Sequence, residues 1–450
     1  MNMLHGFVPP HLLRKLAEHP VASVRQAAIA SIGPSAVMRT ERRFAGPVSG
    51  GNKLLLQGST LARHIYNCRH TQRLPGTPER GEGQGPTGDA NCDNAYDGCG
   101  VIWKFWKFLG RNGFDDNGST LICSVAYGSQ YDNAMWQGQE IVGGDGDGIV
   151  FQPFFSVPDV IWHEWGHAVT QYTSNLDYQD ESGGLNESFS DCHGITCKQW
   201  SLNQTAAQAD WIIGKGLFMP SINGIGLRSM KAPGTAYDDP QLGSDPQIAN
   251  YRDYTPGMEV HLSSGIPNKA FCDACILDGG GSWERVFPVW LEVNKQAGSG
   301  CTFAQWASLA VNIAGQKYGY ATAKAISDAW IGVGVKAPVP VPSPSTPSPP
   351  VPPVPIPLPI PPTVPTVPPT TPGGPPVDAA TLKAIIQKYL GIAAAIARWT
   401  PTPLDDVVIA FLQQDAVLDM LVQVILTLWP HANNQLALAA KIAELKAKLP

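Results

Sequence analysis

His163-Glu164-Trp165-Gly166-His167, preceded by Pro158-Asp159-Val160-Ile161-Trp162, is the stretch on which the fold of this 450-residue chain turns. Val160, Ile161 and Val169 supply an apolar side at helical spacing. Pro158 suits a first helical turn, Asp159 complements the helix dipole, and Ser156 is placed to cap it. The stretch predicts a helix over 157–174. On that helix the two histidines stand one above the other on one face. Two imidazoles so placed can reach one zinc ion, and Glu164 between them can take a proton from a metal-bound water.

A third ligand is expected downstream. Asn186-Glu187-Ser188-Phe189-Ser190-Asp191 opens the next helical segment, and Glu187 follows His167 by 20 residues. Two antiparallel helices joined by a loop would carry its carboxylate to the metal. Asp191 lies one turn further on the same face. There it can accept the free ring N–H of a ligating histidine, which fixes tautomer and orientation. Glu187 alone reads as a surface charge; Glu187 with Asp191 at this distance from H-E-x-x-H does not.

Working outward, residues 1–55 form a small leading segment. Pro9, Pro10, Leu12, Leu13 and Leu16 predict a short helix opened by proline, and residues 22–32 a second. Gly46 to Asn52 is a glycine-rich break. So short a segment holds no core of its own, so it packs on the next domain or is removed. Residues 56–337 are the main body. Its first half, rich in Gly, Asn, Asp and short apolar runs, reads as strands and turns. The Gly-Gly-Asp-Gly-Asp-Gly run at 143–148 reads as a tight turn, with calcium binding as the alternative. Its second half reads as helices over 157–174, 185–200, 205–217, 266–275 and 282–294, with two more before Ile331.

Residues 338–377 hold 20 prolines in 40 positions. This composition extends as polyproline II and would span about 120 Å as a semi-rigid spacer. Residues 378–450 return to helical periodicity, with Thr402, Pro403 and Asp405 as a helix start. They predict a small all-α domain whose target is unknown. The expected fold class is therefore α+β for the body, a β-rich first lobe and a helical second lobe, followed by a Pro-rich linker and an all-α C-terminal domain.

Hydrophobic residues make up 43% of the chain, enough for a sizeable core, and the net charge of −6 argues against a nucleic-acid partner. No stretch is long and apolar enough to predict a membrane span. The first ten residues carry no standard secretory signal, which leaves an intracellular site or a non-standard export route. Nine cysteines is an odd number, so at least one is unpaired within the monomer. Cys92/Cys99, Cys192/Cys197 and Cys272/Cys275 are close in sequence. Cys272-x-x-Cys275 reads as plain or locally bridged thiols, a redox pair, or half a zinc site without a partner.

With these residues in view, the chain resembles the thermolysin family of zinc metalloendopeptidases, especially its short protealysin-like branch. The resemblance covers roughly residues 60 to 335, with an echo in the first 20. Asn133-Ala134-Met135-Trp136 is similar to the family's edge strand, in which Asn133 and Ala134 hold the substrate backbone. Tyr178 resembles the transition-state tyrosine, His261 the catalytic histidine, and Arg228 the arginine that binds a substrate carbonyl. Phe151, Phe154, Val160, Ile213 and Leu227 fall where the family builds a hydrophobic pocket for the residue after the scissile bond.

The resemblance implies one catalytic Zn2+ on His163, His167 and Glu187, with Glu164 as general base and His261 and Tyr178 as oxyanion donors. Substrates would be proteins or peptides. Gly6-Phe7-Val8-Pro9-Pro10-His11-Leu12-Leu13 resembles a short inhibitory propeptide, which implies a zymogen that cuts itself near residues 40–57. Two departures stand out. Relatives carry an aspartate five residues before the catalytic histidine; Pro256 stands there, with Asp253 and Glu259 as substitutes. Asp159 and Asp210 remain of the family's calcium site, but Lys198 and Lys215 replace carboxylates, and their ammonium groups would stand in for Ca2+. The competing reading is an interaction or targeting protein with a weakly active or inactive peptidase fold.

Overall fold

The computed structural model describes residues 6–45 and 60–341, without the side chains of 36–45. The chain divides into one unit over Met1–Val351 and a second over Pro352–Pro450. The expected spacer from 342 onward, the C-terminal helical domain and the break at 46–52 lie outside the described residues.

The leading segment forms α1 (Pro10–Leu16) and α2 (Ala22–Ala45), the second longer than the sequence pattern suggests and running through Pro34. Pro10 opens α1 as expected, and Leu12, Leu13 and Leu16 are fully buried. They join the same core as the main body, as required of a segment too small for its own. Burial of each such leucine stabilises the docked arrangement by roughly 1.5–3 kcal/mol.

The body opens with β1 (Arg63–Asn67), β2 (Thr77–Gly81), α3 (Ala90–Phe108), β3 (Leu121–Val125), β4 (Ala134–Trp136) and β5 (Ile141–Gly143). The strands make one sheet in the order β2-β1-β3-β5-β4. β1, β3 and β5 run parallel, and β2 and β4 are antiparallel edges. The helix α3 corrects the strands-and-turns reading of this half. Its Asn- and Asp-rich start looks like a turn but works as a cap, Asp89 accepting from the amides of Asn91 and Cys92. The 143–148 run is a turn: Asp147 Oδ1 accepts the amides of Ile149, Val150 and Phe151.

The second half is helical. α4 (Pro158–Gln171) and α5 (Asp180–Leu202) come first. Ser156 does not cap α4; Val157 holds the cap position, and the Ser156 hydroxyl donates to the Pro153 carbonyl instead. The helix expected over 205–217 is also absent. Gly214 and Gly216 adopt positive φ there, and the chain turns into β6 (Ile212–Ile213), which pairs with β7 (Arg228–Ser229). A ribbon of β8 (Asp238–Asp239) and β9 (Gly243–Ser244) leads to α6 (Val260–Ser263) and α7 (Gly265–Asp278). Then come α8 (Val286–Gln296), α9 (Phe303–Tyr318) and α10 (Tyr320–Gly332). A Thr302/Gln305 capping box starts α9.

The result is a two-part fold, a sheet-bearing first part and a helical second part, with α4 and α5 packed against each other at its centre. Glycines set that packing. A Cβ on Gly166 of α4 would lie 2.8 Å from Ser190 Cα, and one on Gly194 of α5 would lie 3.0 Å from the Asp159 carbonyl oxygen. All nine cysteines are buried free thiols, Cys192 and Cys197 both on α5. No helix among the described residues is long and apolar enough to cross a membrane.

Candidate active site

α4 presents His163, Glu164 and His167, all buried, and α5 presents Glu187 and Asp191 against them. His163 Nδ1 donates to Asp191 Oδ1 at 2.8 Å, and His167 Nδ1 donates to Asn186 Oδ1 at 2.8 Å. With their Nδ1 protons committed, both rings turn Nε2 lone pairs toward Glu187. His167 Nε2 is 3.2 Å from Glu187 Oε1, and His163 Nε2 is 3.6 Å from Glu187 Oε2. His163 Nε2 and Glu187 Oε2 are buried and have no hydrogen-bond partner. Buried polar atoms left this way are costly, and a bound cation satisfies them. Two imidazole nitrogens and one carboxylate oxygen suit zinc in an open catalytic site.

Among the described residues, no other group of three His, Cys, Asp or Glu side chains converges in this way. Cys272 and Cys275 belong to no such group among the described residues; burial pushes both thiols up, away from the reactive thiolate.

Asp191 is a hub. Besides His163 it takes a two-pronged contact from Arg228, at 2.7 and 2.8 Å, and the Asn268 amide at 2.8 Å. Burial disfavours its charge, but Arg228 and His163 outweigh burial and hold the carboxyl well below the usual range. Asn186, which orients His167, was not singled out from the sequence. An amide that acts as an acceptor carries no signature until the fold places it.

His261, the second residue of the short α6, reaches the same site, its Nε2 3.5 Å from Glu187 Oε2. Its Nδ1 meets Glu259 Oε1 at 2.6 Å, and its backbone amide donates to Glu259 Oε2 at 3.2 Å. Of the two substitutes considered for the missing aspartate, Glu259 is the one in contact. Burial would lower His261, but Glu187 and Glu259 overcome it and raise the imidazole to about 9. The Tyr178 hydroxyl donates to Glu187 Oε1, and its ring centroid lies 6.5 Å from that of His261. Glu164 Oε2 accepts the Trp136 amide of β4 at 2.6 Å.

Phe7 and Val8 of the leading segment lie beside these residues. Phe7 donates its amide to the Ala134 carbonyl at 2.9 Å, and Val8 donates to Asn133 Oδ1 at 2.9 Å. Arg228 Nη1 donates to the Phe7 carbonyl at 3.0 Å. The Phe7 ring is fully buried, edge-on to His163 at 5.1 Å. Phe151, Phe154, Val160, Ile213 and Leu227 are all buried in the core that includes Phe7. Leu227 and Phe7 both border the space at Gly214.

Near the helix pair, Lys215 Nζ pairs with Asp210 Oδ2 at 3.0 Å and Lys198 Nζ lies 3.5 Å from Asp210 Oδ1. Asp159 accepts the Gly214 amide at 2.7 Å.

Comparison with known proteins agrees with this geometry. Residues 65–171 match the catalytic domain of thermolysin metallopeptidases, and residues 174–335 match their alpha-helical domain. An extracellular metalloprotease of Pectobacterium carotovorum subsp. carotovorum is 38% identical over 336 residues, covering 72% of this chain and 94% of that protein. Thermolysin of Alicyclobacillus acidocaldarius is 39% identical over 231 residues, half of this chain and 40% of that one. The solved precursor of protealysin, a metalloproteinase from Serratia proteamaculans, aligns with a TM-score of 0.68 at 40% identity, over 74% of this chain and all of that one. With both domains matched and the H-E-x-x-H and glutamate geometry intact, the chain belongs to the thermolysin family of metalloendopeptidases.

Proposed function

We propose that the chain is the latent form of a zinc endopeptidase that prefers a hydrophobic residue just after the bond it cuts. His163, His167 and Glu187 would hold the ion. Zinc, when bound, supplies Lewis acidity that polarises a peptide carbonyl and brings the pKa of water toward about 7. Glu164 takes the proton from the attacking water and delivers it to the leaving amine. His261 and Tyr178 donate to the carbonyl oxygen as charge develops there. Asn133, Ala134 and Arg228 hold the substrate backbone, and the set from Phe151 to Leu227 receives the side chain after the scissile bond.

The observation that carries this reading is the pair of orphaned ligand atoms, His163 Nε2 and Glu187 Oε2, facing each other in a buried site beside His261. The reading as an interaction protein with a failing peptidase fold draws on the absent aspartate before His261 and on the C-terminal module; the Glu259 contact with His261 speaks against the first of these.

In this proposal residues 1–55 are an inhibitory propeptide, 56–337 the peptidase, 338–377 a spacer and 378–450 a targeting module. The cleft contacts of Phe7 and Val8 support the inhibitory role. The test is Glu164→Ala in the full chain. Bound zinc should remain near one per chain, while casein cleavage falls by at least about a thousandfold. Casein cleavage at the wild-type rate in that variant would defeat the assignment.

A further inference from the structure

The leader does more than cover the cleft: its peptide groups meet the proposed substrate-holding groups one after another, in chain order. The Gly6 carbonyl oxygen lies 2.9 Å from His261 Nε2. The Phe7 amide then meets the Ala134 carbonyl, the Phe7 carbonyl meets Arg228, and the Val8 amide meets Asn133. Phe7 itself fills apolar space beside Leu227. By the roles assigned above, Phe7 takes the place of the residue after the scissile bond, and the Gly6 carbonyl takes the place of the reacting one.

We propose that the Gly6–Phe7 peptide bond is a self-cleavage site, distinct from any cut that removes the leader. The proposal rests on the peptidase reading above. Water adds its oxygen to the Gly6 carbonyl carbon, the Gly6–Phe7 C–N bond breaks, Gly6 ends as a carboxylate, and the Phe7 nitrogen leaves with a proton as an amine. Residue 6 suits the close approach because it has no side chain: a Cβ there would sit 2.6 Å from Asn133 Nδ2. The contacts of Phe7 and Val8, and the buried Leu12, Leu13 and Leu16, all lie after the cut. Cleavage therefore turns a bound substrate into a bound product, and the leader stays seated.

The full chain, freed of metal by a chelator and then given zinc chloride, is followed by intact mass and N-terminal sequencing. A species beginning at Phe7 should appear at a first-order rate independent of protein concentration. Phe7→Ala should slow it at least about tenfold, while Phe7→Leu keeps it within about threefold. In the metal-free protein, where no turnover occurs, the amides of Phe7 and Val8 should exchange at least about a hundredfold slower than in a free peptide. Free-peptide exchange at those amides overturns the seating. Casein cleavage without any Phe7 terminus overturns the cut alone, with the peptidase reading intact. Absence of both casein cleavage and the cut removes the peptidase reading, and the proposal with it.

Discussion

At the scale of single residues, Glu259 meets His261 twice. Its two oxygens divide the work: one caps the first turn of α6 by accepting the His261 amide, the other accepts the imidazole of His261. A hydrogen bond to a charged group contributes about 1.5–3 kcal/mol, so Glu259→Ala should lower kcat of the activated enzyme roughly tenfold to a hundredfold with little change in KM. Glu259→Gln, which keeps an acceptor, should recover part of that. Equal losses in the two variants, or a loss confined to KM, would remove Glu259 from the positioning of His261. The ligands and Glu164 were legible in the sequence because H-E-x-x-H is a local pattern on one helix. Asn186 was not, because its acceptor role depends on the packing of α5 against α4. Glu259 and Asp253 stood level as candidates until the fold of the 253–261 loop chose between them.

At the scale of elements, the metal site is a product of how closely α4 and α5 approach. Gly166 and Gly194 allow that approach, each facing backbone of the other helix. Alanine ordinarily favours a helix over glycine by about 1 kcal/mol. Here Gly194→Ala should nonetheless push the helices apart and weaken zinc binding by more than about tenfold, read by competition with a chelating dye; unchanged affinity would show that the glycine is incidental. The same scale governs the leader. His11 on α1 lies between Tyr237, with which it shares a 3.1 Å hydrogen bond, and the charges of Glu259, His261, Arg14 and Arg228. Burial, opposed by Glu259 and reinforced by the cations, lowers its imidazole to about 4. The docked leader thus favours neutral His11. Its contribution is complete above the free histidine value near 6.5 and is lost as pH falls toward 4, amounting to about 3 kcal/mol. The urea midpoint of the Glu164→Ala full chain should fall between pH 7 and 4.5, and adding His11→Gln should flatten that fall. Identical slopes would show that acid acts elsewhere. Elements were read well where apolar spacing was regular, as in α1, α4 and α7. The reading failed at α3, whose glycines and polar start mimic a turn, and at 205–217, where paired glycines break an otherwise helical pattern.

At the scale of the molecule, the Lys198, Lys215 and Asp210 cluster sets two ammonium charges beside one carboxylate, which would leave no need for a bound calcium ion there. A protein that binds calcium only when folded gains stability from it by mass action. Here millimolar calcium should move the thermal midpoint of the zinc-loaded chain by less than roughly 2 °C. A larger rise would mean that Asp159 and Asp210 still bind the ion. The overall two-part architecture was legible from the residue pattern together with the family resemblance, mostly strands first and helices after. That the leader packs on the body was one of two outcomes its length allowed; which residues it meets was not legible, since that depends on contacts made hundreds of residues apart.

The nine buried thiols give the molecule a chemical record of its own opening. Cys68, Cys92, Cys99 and Cys123 belong to the sheet-bearing part, and Cys192, Cys197, Cys272, Cys275 and Cys301 to the helical part. A water-soluble alkylating reagent meets none of them while the protein is closed. Each alkylated position therefore marks a region that has opened, and the order in which the positions are modified ranks the two halves by how readily they come apart.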